Sequence, residues 1–299
     1  MVSINIKHSG DLVAYALYVF IAGFVSTAGT TVRPGAARAQ NHAEGNASRY
    51  IVGGDPTYQG EFPHHVAILL DDEFVCGGTI LDEFHVLTTA YCLFPNGLAN
   101  GVYKVFAGVW RPDQPDPVAQ QWTVEDYVVH SQFDVNDYAS SDIAVLRIGY
   151  GFTFNKYVGP AAIPRTREEE QKVRHIGDCA VVGYGRTNEA KEKYPNKLRK
   201  IEGLFLRNFK TCNSALRKSG AGGMSRTQMC SINPPKNVCV GDGGGALVCR
   251  KPNTGDQLVV GVTSFILSPC RTTGTAYYMR AYRFRQFIQR AIAKMDNRA

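Results

Sequence analysis

Short apolar runs separated by Gly, Pro and Asn recur along most of the chain. Examples are Val66–Leu70, Tyr103–Phe106 and Leu258–Val262. Short runs of this kind, bounded by turn-forming residues, are typical of β-strands. The pattern therefore predicts that the residues from position 51 to the C-terminus form one large, mainly β unit.

The C-terminal stretch has a different period. Its apolar residues recur at helical spacing: Phe284, Phe287, Ile288, Ala291, Ile292 and Met295. Such spacing places them on one face of a helix. We expect the chain to end in an amphipathic helix that packs on the β unit.

The N-terminal region combines an apolar run with small residues. Residues 12–25 are apolar and follow a start that contains a lysine, which is typical of a secretory signal peptide. We assign residues 1–28 to this signal, with cleavage as late as residue 39; a signal anchor is the alternative. Residues 29–50 are poor in large apolar side chains, which favours a flexible pro-segment. The only N-glycosylation sequon, at Asn46, lies within it.

The eight cysteines are scattered between positions 76 and 270. An even number of cysteines in a chain with an export signal indicates a disulfide framework, although the sequence alone does not fix the pairing. A zinc site is the alternative. The chain has no C-x-x-C pair, and we expect no metal site.

Two parts of the chain carry motifs of a catalytic centre. Val240–Leu247 reads VGDGGGAL and resembles the G-D-S-G-G-P loop of trypsin-like serine proteases, with Gly243 in place of the reactive serine. Cys76–Ile80 and Thr89–Cys92 resemble the family's C-G-G-S-L and T-A-A-H-C segments. In the second of these, a tyrosine at position 91 replaces the general-base histidine.

Further motifs follow in the family's order. Ile51–Gly54 resembles the new N-terminus of an activated protease, and Asp142–Leu146 resembles the segment that carries the triad aspartate. Gly183–Thr187 and Thr263–Phe265 are similar to the G-W-G-x-T and V-S-W segments. The resemblance covers residues 51–299 and implies an all-β fold of two six-stranded antiparallel β-barrels with a C-terminal α-helix. It also implies four disulfides: Cys76–Cys92, Cys179–Cys249, Cys212–Cys230 and Cys239–Cys270.

The resemblance places Tyr91, Asp142 and Gly243 at the triad positions. Glycine has no side chain that can attack a carbonyl carbon, and tyrosine, with an unperturbed pKa of about 10, is a poor base at pH 7. We therefore expect an inactive homologue, a pseudoprotease, in which the Tyr91 hydroxyl donates a hydrogen bond to Asp142. The backbone N–H groups of Gly241 and Gly243 would remain as a remnant of the oxyanion hole.

A working hydrolase with a different catalytic group is the alternative. Ser264 matches the serine of the V-S-W segment, and a relocated base would have to be His64, His65 or His85. We expect all three histidines to be structural, because no activated nucleophile accompanies them.

The specificity pocket and the activation junction also depart from the family. Asn237 stands where trypsin-like enzymes carry a carboxylate, and Ile266 stands where most members carry a glycine; with Ser264 they mark a degenerate pocket. The resemblance implies that a freed Ile51 ammonium pairs with Asp242. The residue before Ile51 is a tyrosine, so whether the chain is cut there stays open.

The formal net charge is +7, and residues 1–50 carry four Lys/Arg against two Asp/Glu, which leaves +5 for the remainder. This balance is mildly basic and does not indicate nucleic-acid binding. Basic residues concentrate around Cys212 and on one side of the predicted C-terminal helix. They form a candidate patch for a sulfated polysaccharide, with solvated surface charge as the alternative: Arg207, Lys210, Arg217, Lys218, Arg283, Arg290 and Lys294.

Three functions compete. The first, which the resemblance implies, is a secreted, non-catalytic serine protease homologue that binds extracellular proteins, such as proteases or their substrates. It would act as a decoy, cofactor or competitor in a proteolytic or immune cascade, as inactive relatives in arthropods do. The second is a polyanion-binding protein for heparin-like glycosaminoglycans. The third is a residual serine-type endopeptidase. We expect no cofactor and no membrane association after removal of the signal.

Overall fold

The chain is represented by a computed structural model, which describes residues 54–94, 100–111, 116–137, 140–176, 178–186, 197–267, 270 and 274–299. The expected signal peptide, the pro-segment, the sequon at Asn46 and the activation residue Ile51 lie outside the described residues.

Antiparallel strands dominate the described residues, and the predicted runs at 66–70, 103–106 and 258–262 each lie within a strand. Thirteen strands occur in these ranges: β1 (Asp55–Pro56), β2 (His65–Leu70), β3 (Glu73–Ile80), β4 (His85–Thr88), β5 (Tyr103–Ala107), β6 (Gln120–Val129), β7 (Ala144–Ile148), β8 (Cys179–Gly183), β9 (Arg199–Ile201), β10 (Gln228–Ile232), β11 (Ala246–Arg250), β12 (Gln257–Ile266) and β13 (Thr275–Arg280).

Six strands close into a barrel in the order β2-β3-β4-β7-β6-β5. Successive residues of a strand face opposite sides, so apolar residues two positions apart share one side of the sheet. Val66 and Ile68 of β2, Val105 of β5, and Leu146 and Ile148 of β7 follow this rule and pack together, fully buried, in the core of the barrel.

The second sheet has seven strands, in the order β1-β9-β8-β11-β12-β13-β10. A β-bridge between Leu206, which follows β9, and Ser231 of β10 connects the two ends of the row β9-β8-β11-β12-β13-β10. These six strands therefore form a ring. The additional strand is the two-residue β1, which pairs with β9 through Asp55 and Lys200. The all-β, trypsin-like fold class is confirmed, with seven strands in the second sheet where we expected six.

An apolar layer joins the two sheets. Phe62 and Ala67, before and within β2, pack with Val182 of β8 and with Ala246 and Val248 of β11. Buried side chains from both sheets share this cluster, so they hold the start of β11 against the first barrel. The glycine-rich segment that precedes β11 is thereby placed between the sheets.

Three α-helices accompany the strands in the described part of the chain: α1 (Arg167–Ile176), α2 (Phe209–Lys218) and α3 (Arg285–Asp296). The side chain of Asn208 caps α2 by accepting a hydrogen bond from the backbone N–H of Thr211. Helix α1 was not predicted from the sequence.

The predicted C-terminal helix is confirmed. A short 3-10 turn, Ala281–Phe284, leads into α3. Ile288, Ala291 and Met295 of α3 are buried in a cluster with Leu87 of the first barrel. Burial of large apolar side chains is worth about 1.5–3 kcal/mol each, so this face is sufficient to dock the helix.

All eight cysteines form disulfides. The pairing of the cysteines confirms the expectation: Cys76–Cys92, Cys179–Cys249, Cys212–Cys230 and Cys239–Cys270.

Within the described ranges, no helix combines the length and the apolar character that a membrane-spanning helix requires.

Candidate functional site

The loop before β11 is fixed by backbone hydrogen bonds to strands of both sheets. The carbonyl oxygen of Gly243 accepts a hydrogen bond from the N–H of Gly77 in β3, at 2.8 Å. The N–H of Gly244 donates to the carbonyl oxygen of Thr263 in β12, also at 2.8 Å. Backbone contacts therefore set the position of this loop, and none of them requires a side chain at position 243.

Gly243 has room for a side chain. A Cβ atom there would have Cys76 Sγ and the carbonyl oxygen of Ser264 as its nearest neighbours, both at 3.9 Å. Gly244 differs, because its φ of 80° is one that other residues rarely adopt and its Cβ would collide with the carbonyl oxygen of Gly77. The loop conformation needs glycine at 244 and would accept serine at 243.

Asp142 is buried beside this loop and has several hydrogen-bond donors. Its Oδ1 accepts from the N–H of Tyr91 at 2.8 Å, and its Oδ2 accepts from the Ser264 hydroxyl at 2.5 Å. The N–H of Ala90 is a third donor. Burial raises the pKa of Asp142, and these hydrogen bonds act in the opposite direction. Groups other than an imidazole hold the carboxylate in place.

Tyr91 begins a 3-10 turn, Tyr91–Leu93, which the disulfide at Cys92 ties to β3. The residue is 50% exposed. The expectation that its hydroxyl donates to Asp142 is wrong, because the backbone N–H makes this hydrogen bond while the ring remains half in solvent. The expected triad positions thus come together around Ser264, but position 91 supplies no imidazole and position 243 supplies no hydroxyl.

The two expected oxyanion-hole donors lie in the same loop. Gly241 has a φ of 97°, a conformation that favours glycine. Within the described residues, the N–H groups of Gly241 and Gly243 have no hydrogen-bond acceptor. They therefore remain available to a bound group.

The residues of the expected specificity pocket are largely enclosed. Asn237 is 3% exposed, and its amide nitrogen has no hydrogen-bond partner among the described residues. Ile266 is half-buried and packs against Cys239 and Cys270. A β-branched side chain beside this disulfide fills space that glycine would leave open. Ser264, the third residue, is engaged with Asp142.

Asp242 is only 1% exposed, directly before Gly243. Its Oδ1 accepts a hydrogen bond from the N–H of Gly185, and its Oδ2 accepts one from the N–H of Cys239, both at 2.8 Å. Burial raises the pKa of Asp242 to about 7, and the two hydrogen bonds oppose this effect. Its expected partner Ile51 lies outside the described residues, so that pairing stays a prediction.

His64 and His65 are buried between the sheets rather than placed at the loop opening. Burial lowers the pKa of His64 to about 4 and, with a further contribution from His64, that of His65 to about 3. The ring of His65 packs on Tyr184, with 5.5 Å between the ring centres, and would touch a Cβ placed at Gly77. Both imidazoles are therefore neutral at pH 7 and enclosed, which supports a structural role.

His85 links the first barrel to the end of α3. Its Nδ1 lies 2.8 Å from Asp82 Oδ1, and its Nε2 lies 3.4 Å from Asp296 Oδ1. The side chain is almost fully buried. An imidazole held between two carboxylates in this way is placed to anchor the helix, and a structural role is favoured here as well.

The seven residues of the expected basic patch are all exposed, but they lie on two elements. Four lie on or next to α2: Arg207, Lys210, Arg217 and Lys218. The other three line a groove of about 400 Å³ beside α3, which none of the α2 residues lines; we call it the α3 groove. Its lining also includes Phe284, Phe287 and Ala291, which the sequence analysis named only as part of the apolar face of the helix. The remaining lining residues were missed by the sequence analysis: Val128, His130, Ser131, Gln132, Ser141, Thr227 and Gln286.

Comparison with known proteins agrees with this geometry. The chain is 29% identical over 220 residues to ovochymase-2 of Mus musculus, a match that covers 72% of this chain and 34% of that protein. The chain thus spans about a third of the length of that relative. A family model described as Trypsin matches residues 51–288. Because this match covers well over half of the sequence, the chain belongs to the trypsin family.

Proposed function

We propose that this chain is a secreted, non-catalytic member of the trypsin family that acts by binding other proteins. It would serve as a decoy, cofactor or competitor in an extracellular proteolytic or immune cascade. One observation carries the proposal. The loop, the buried Asp142 and their backbone contacts surround Gly243 and Tyr91, which lack the two side chains that peptide hydrolysis needs.

The missing groups are the ones on which the chemistry depends. A serine hydroxyl attacks the carbonyl carbon, and an imidazole takes its proton and later returns it to the leaving amine. Loss of the nucleophile alone costs on the order of 10⁶ in turnover, and further losses add little because the triad acts as a unit. The N–H groups of Gly241 and Gly243 would by themselves leave a residual rate on the order of 10³ above the uncatalysed reaction.

Ser264 is poorly suited to replace the nucleophile. Its hydroxyl already donates to Asp142 Oδ2 at 2.5 Å. A serine paired with a carboxylate lacks the imidazole that would protonate the leaving amine. His65 cannot supply that group, because it is fully enclosed between the sheets. These contacts favour binding over residual hydrolysis.

The exposed surface around the degenerate site supports a protein-binding role. Tyr91, at one of the triad positions, and Val240, directly before Gly241, are each 50% exposed. Aromatic side chains are enriched at the centres of protein interfaces. We infer that the partner contacts this face. The four disulfides favour an oxidising, extracellular setting.

The first test is enzymatic. The full chain is assayed against a peptide-substrate library and a fluorophosphonate probe that labels activated serines, beside the Ser264→Ala variant. We expect no labelling and no turnover in either protein. Turnover by the native chain that Ser264→Ala abolishes would overturn the proposal.

The second test identifies the partner. The full chain is the bait in a cross-linking co-purification from extracellular fluid, washed at about 0.15 M and then about 0.5 M salt, since salt screens surface charge contacts. We expect a protease or a protease substrate to stay bound to the native chain through both washes. The Tyr91→Ala variant should not recover it. The matched control is Tyr58→Ala, which removes a tyrosine that is 67% exposed elsewhere. Equal recovery with both variants would exclude the proposed face.

A further inference from the structure

The α3 groove combines an aromatic surface with polar side chains. The ring of His130 lies against Phe284 and Phe287, with 5.4 Å and 4.8 Å between ring centres. Gln132 and Ser141 are among the polar residues that line the same groove. Concave sites with apolar walls and a few convergent polar groups are the usual form of small-ligand sites.

Three cations lie along the helix side of the groove. Arg283, Arg290 and Lys294 are exposed, and none forms an ion pair with another described residue. At about 1.5 Å of rise per residue, they span about 17 Å. That length exceeds a single sulfate or phosphate, so the row suits a ligand with several anionic groups.

The groove offers no opposite charge of its own. None of the described residues that line it is Asp or Glu. Among the nearby acids, Asp126 pairs with Arg298, and Asp296 lies next to His85 and Arg147. Like charges at positions 290 and 294 destabilise a helix by a few tenths of a kcal/mol, so folding gains nothing from this arrangement. The uncompensated charge therefore points to a ligand.

His130 contributes a hydrogen-bond donor and a flat ring face. Its Nδ1 accepts a hydrogen bond from the N–H of Gln132 at 3.2 Å, which places the ring proton on Nε2. Burial lowers the pKa of His130, so the ring is neutral at pH 7. Phe284 is buried beneath it, whereas His130 and Phe287 are half-buried and line the groove, so these two rings form the surface against which a sugar ring can lie.

We propose that the α3 groove binds a sulfated oligosaccharide of the glycosaminoglycan type. Its sulfates pair with Arg283, Arg290 and Lys294, a sugar ring lies against the aromatic surface, and Gln132 and Ser141 hydrogen-bond to hydroxyls. The four α2 cations expected in the same patch take no part. This site does not depend on the loss of catalysis, so the two proposals succeed or fail separately.

The test measures the affinity of the full chain for a heparin hexasaccharide by calorimetry, at salt concentrations from about 0.05 to 0.5 M. The groove variant is Arg283→Gln/Arg290→Gln/Lys294→Gln. We expect its affinity at about 0.15 M salt to fall on the order of 10- to 100-fold, because three charge contacts are lost. The slope of log affinity against log salt should decrease by about two, at about 0.7 per contact with a flexible polyanion.

The matched control is Arg207→Gln/Arg217→Gln/Lys218→Gln, which removes two arginines and one lysine from the α2 region. We expect its affinity to stay within about twofold of the native value. Equal weakening in both variants would show that net charge alone attracts the ligand and would overturn the site. If the triple groove variant does not fold, Arg290→Glu alone takes its place in the comparison with the α2 variant.

Polyphosphate and the His130→Ala variant separate a sugar site from a general anion site. We expect His130→Ala to weaken hexasaccharide binding about threefold and to leave polyphosphate binding unchanged. Polyphosphate that binds as tightly as the hexasaccharide and responds equally to His130→Ala would overturn the saccharide assignment.

Discussion

Gly243 and Gly244 are neighbours whose substitution by alanine should have opposite effects on stability. At Gly243 the added Cβ meets nothing closer than 3.9 Å, and the backbone conformation suits any residue. Alanine there restricts the unfolded chain without strain in the folded one, which should stabilise the protein by about 0.4–1 kcal/mol. The two variants Gly243→Ala and Gly244→Ala therefore test whether the loop has the conformation that would present a side chain at position 243.

At Gly244 two costs add. A φ of 80° costs alanine about 1–2 kcal/mol. The new Cβ would also overlap the carbonyl oxygen of Gly77, whose strand must then shift, at a further cost of about 1–3 kcal/mol. Gly244→Ala should therefore destabilise the protein by about 2–5 kcal/mol in total.

The assay is equilibrium unfolding in guanidinium chloride with the disulfides intact, in which unfolding free energy falls linearly with denaturant. The two variants should differ by at least about 2.5 kcal/mol. A loss of more than about 1 kcal/mol in Gly243→Ala would refute the reasoning, since the side chain would then meet atoms that the structure does not place there. The inference that the loop has a backbone conformation that accepts a side chain at position 243 would fail with it.

Two other predictions concern pH and catalytic rescue. Burial lowers the pKa of His65 to about 3, so the unfolded chain binds a proton below pH 6.5 that the folded chain does not, and stability is lost as the pH falls. Between pH 7 and 5 the native protein should lose about 2 kcal/mol more unfolding free energy than His65→Gln; parallel pH profiles would contradict this. The double variant Tyr91→His/Gly243→Ser should cleave arginine-containing amide substrates only weakly, because Asn237 offers no charge and Ile266 fills space beside the Cys239–Cys270 disulfide. Trypsin-like turnover in that variant would show that these two residues do not obstruct the pocket.

The fold was largely predictable because its signals are local and redundant. Short apolar runs, an even set of cysteines and ordered motifs agree on one architecture, and the spacing from Phe284 to Met295 was sufficient for α3. Helix α1 was missed because its sequence is mostly charged and buries little apolar surface. A capping signal was present, however. The hydroxyl of Thr166 accepts from the N–H of Glu169 at 3.1 Å, and the Glu169 carboxylate accepts from the N–H of Arg165 at 2.7 Å.

The degenerate site could be located from the sequence, but its contacts could not. Motifs identify position 91, yet whether a tyrosine there reaches Asp142 through its hydroxyl or its backbone depends on the turn in which it lies. The α3 groove shows the same limit. Helical spacing predicts that Arg290 and Lys294 share one side, whereas His130 and Ser141 reach the groove only through the path of the barrel.

The site can carry tyrosine at position 91 and glycine at position 243 for a specific physical reason. A buried carboxylate left without donors is costly, on the order of several kcal/mol, so a site that lacks the histidine needs other donors for it. Asp142 avoids this cost because Ala90, Tyr91 and Ser264 supply its donors, two of them from the backbone. Gly243 likewise leaves every backbone contact of its loop intact. The scaffold therefore does not depend on an imidazole at position 91 or a hydroxyl at position 243, which is what the proposed binding role requires.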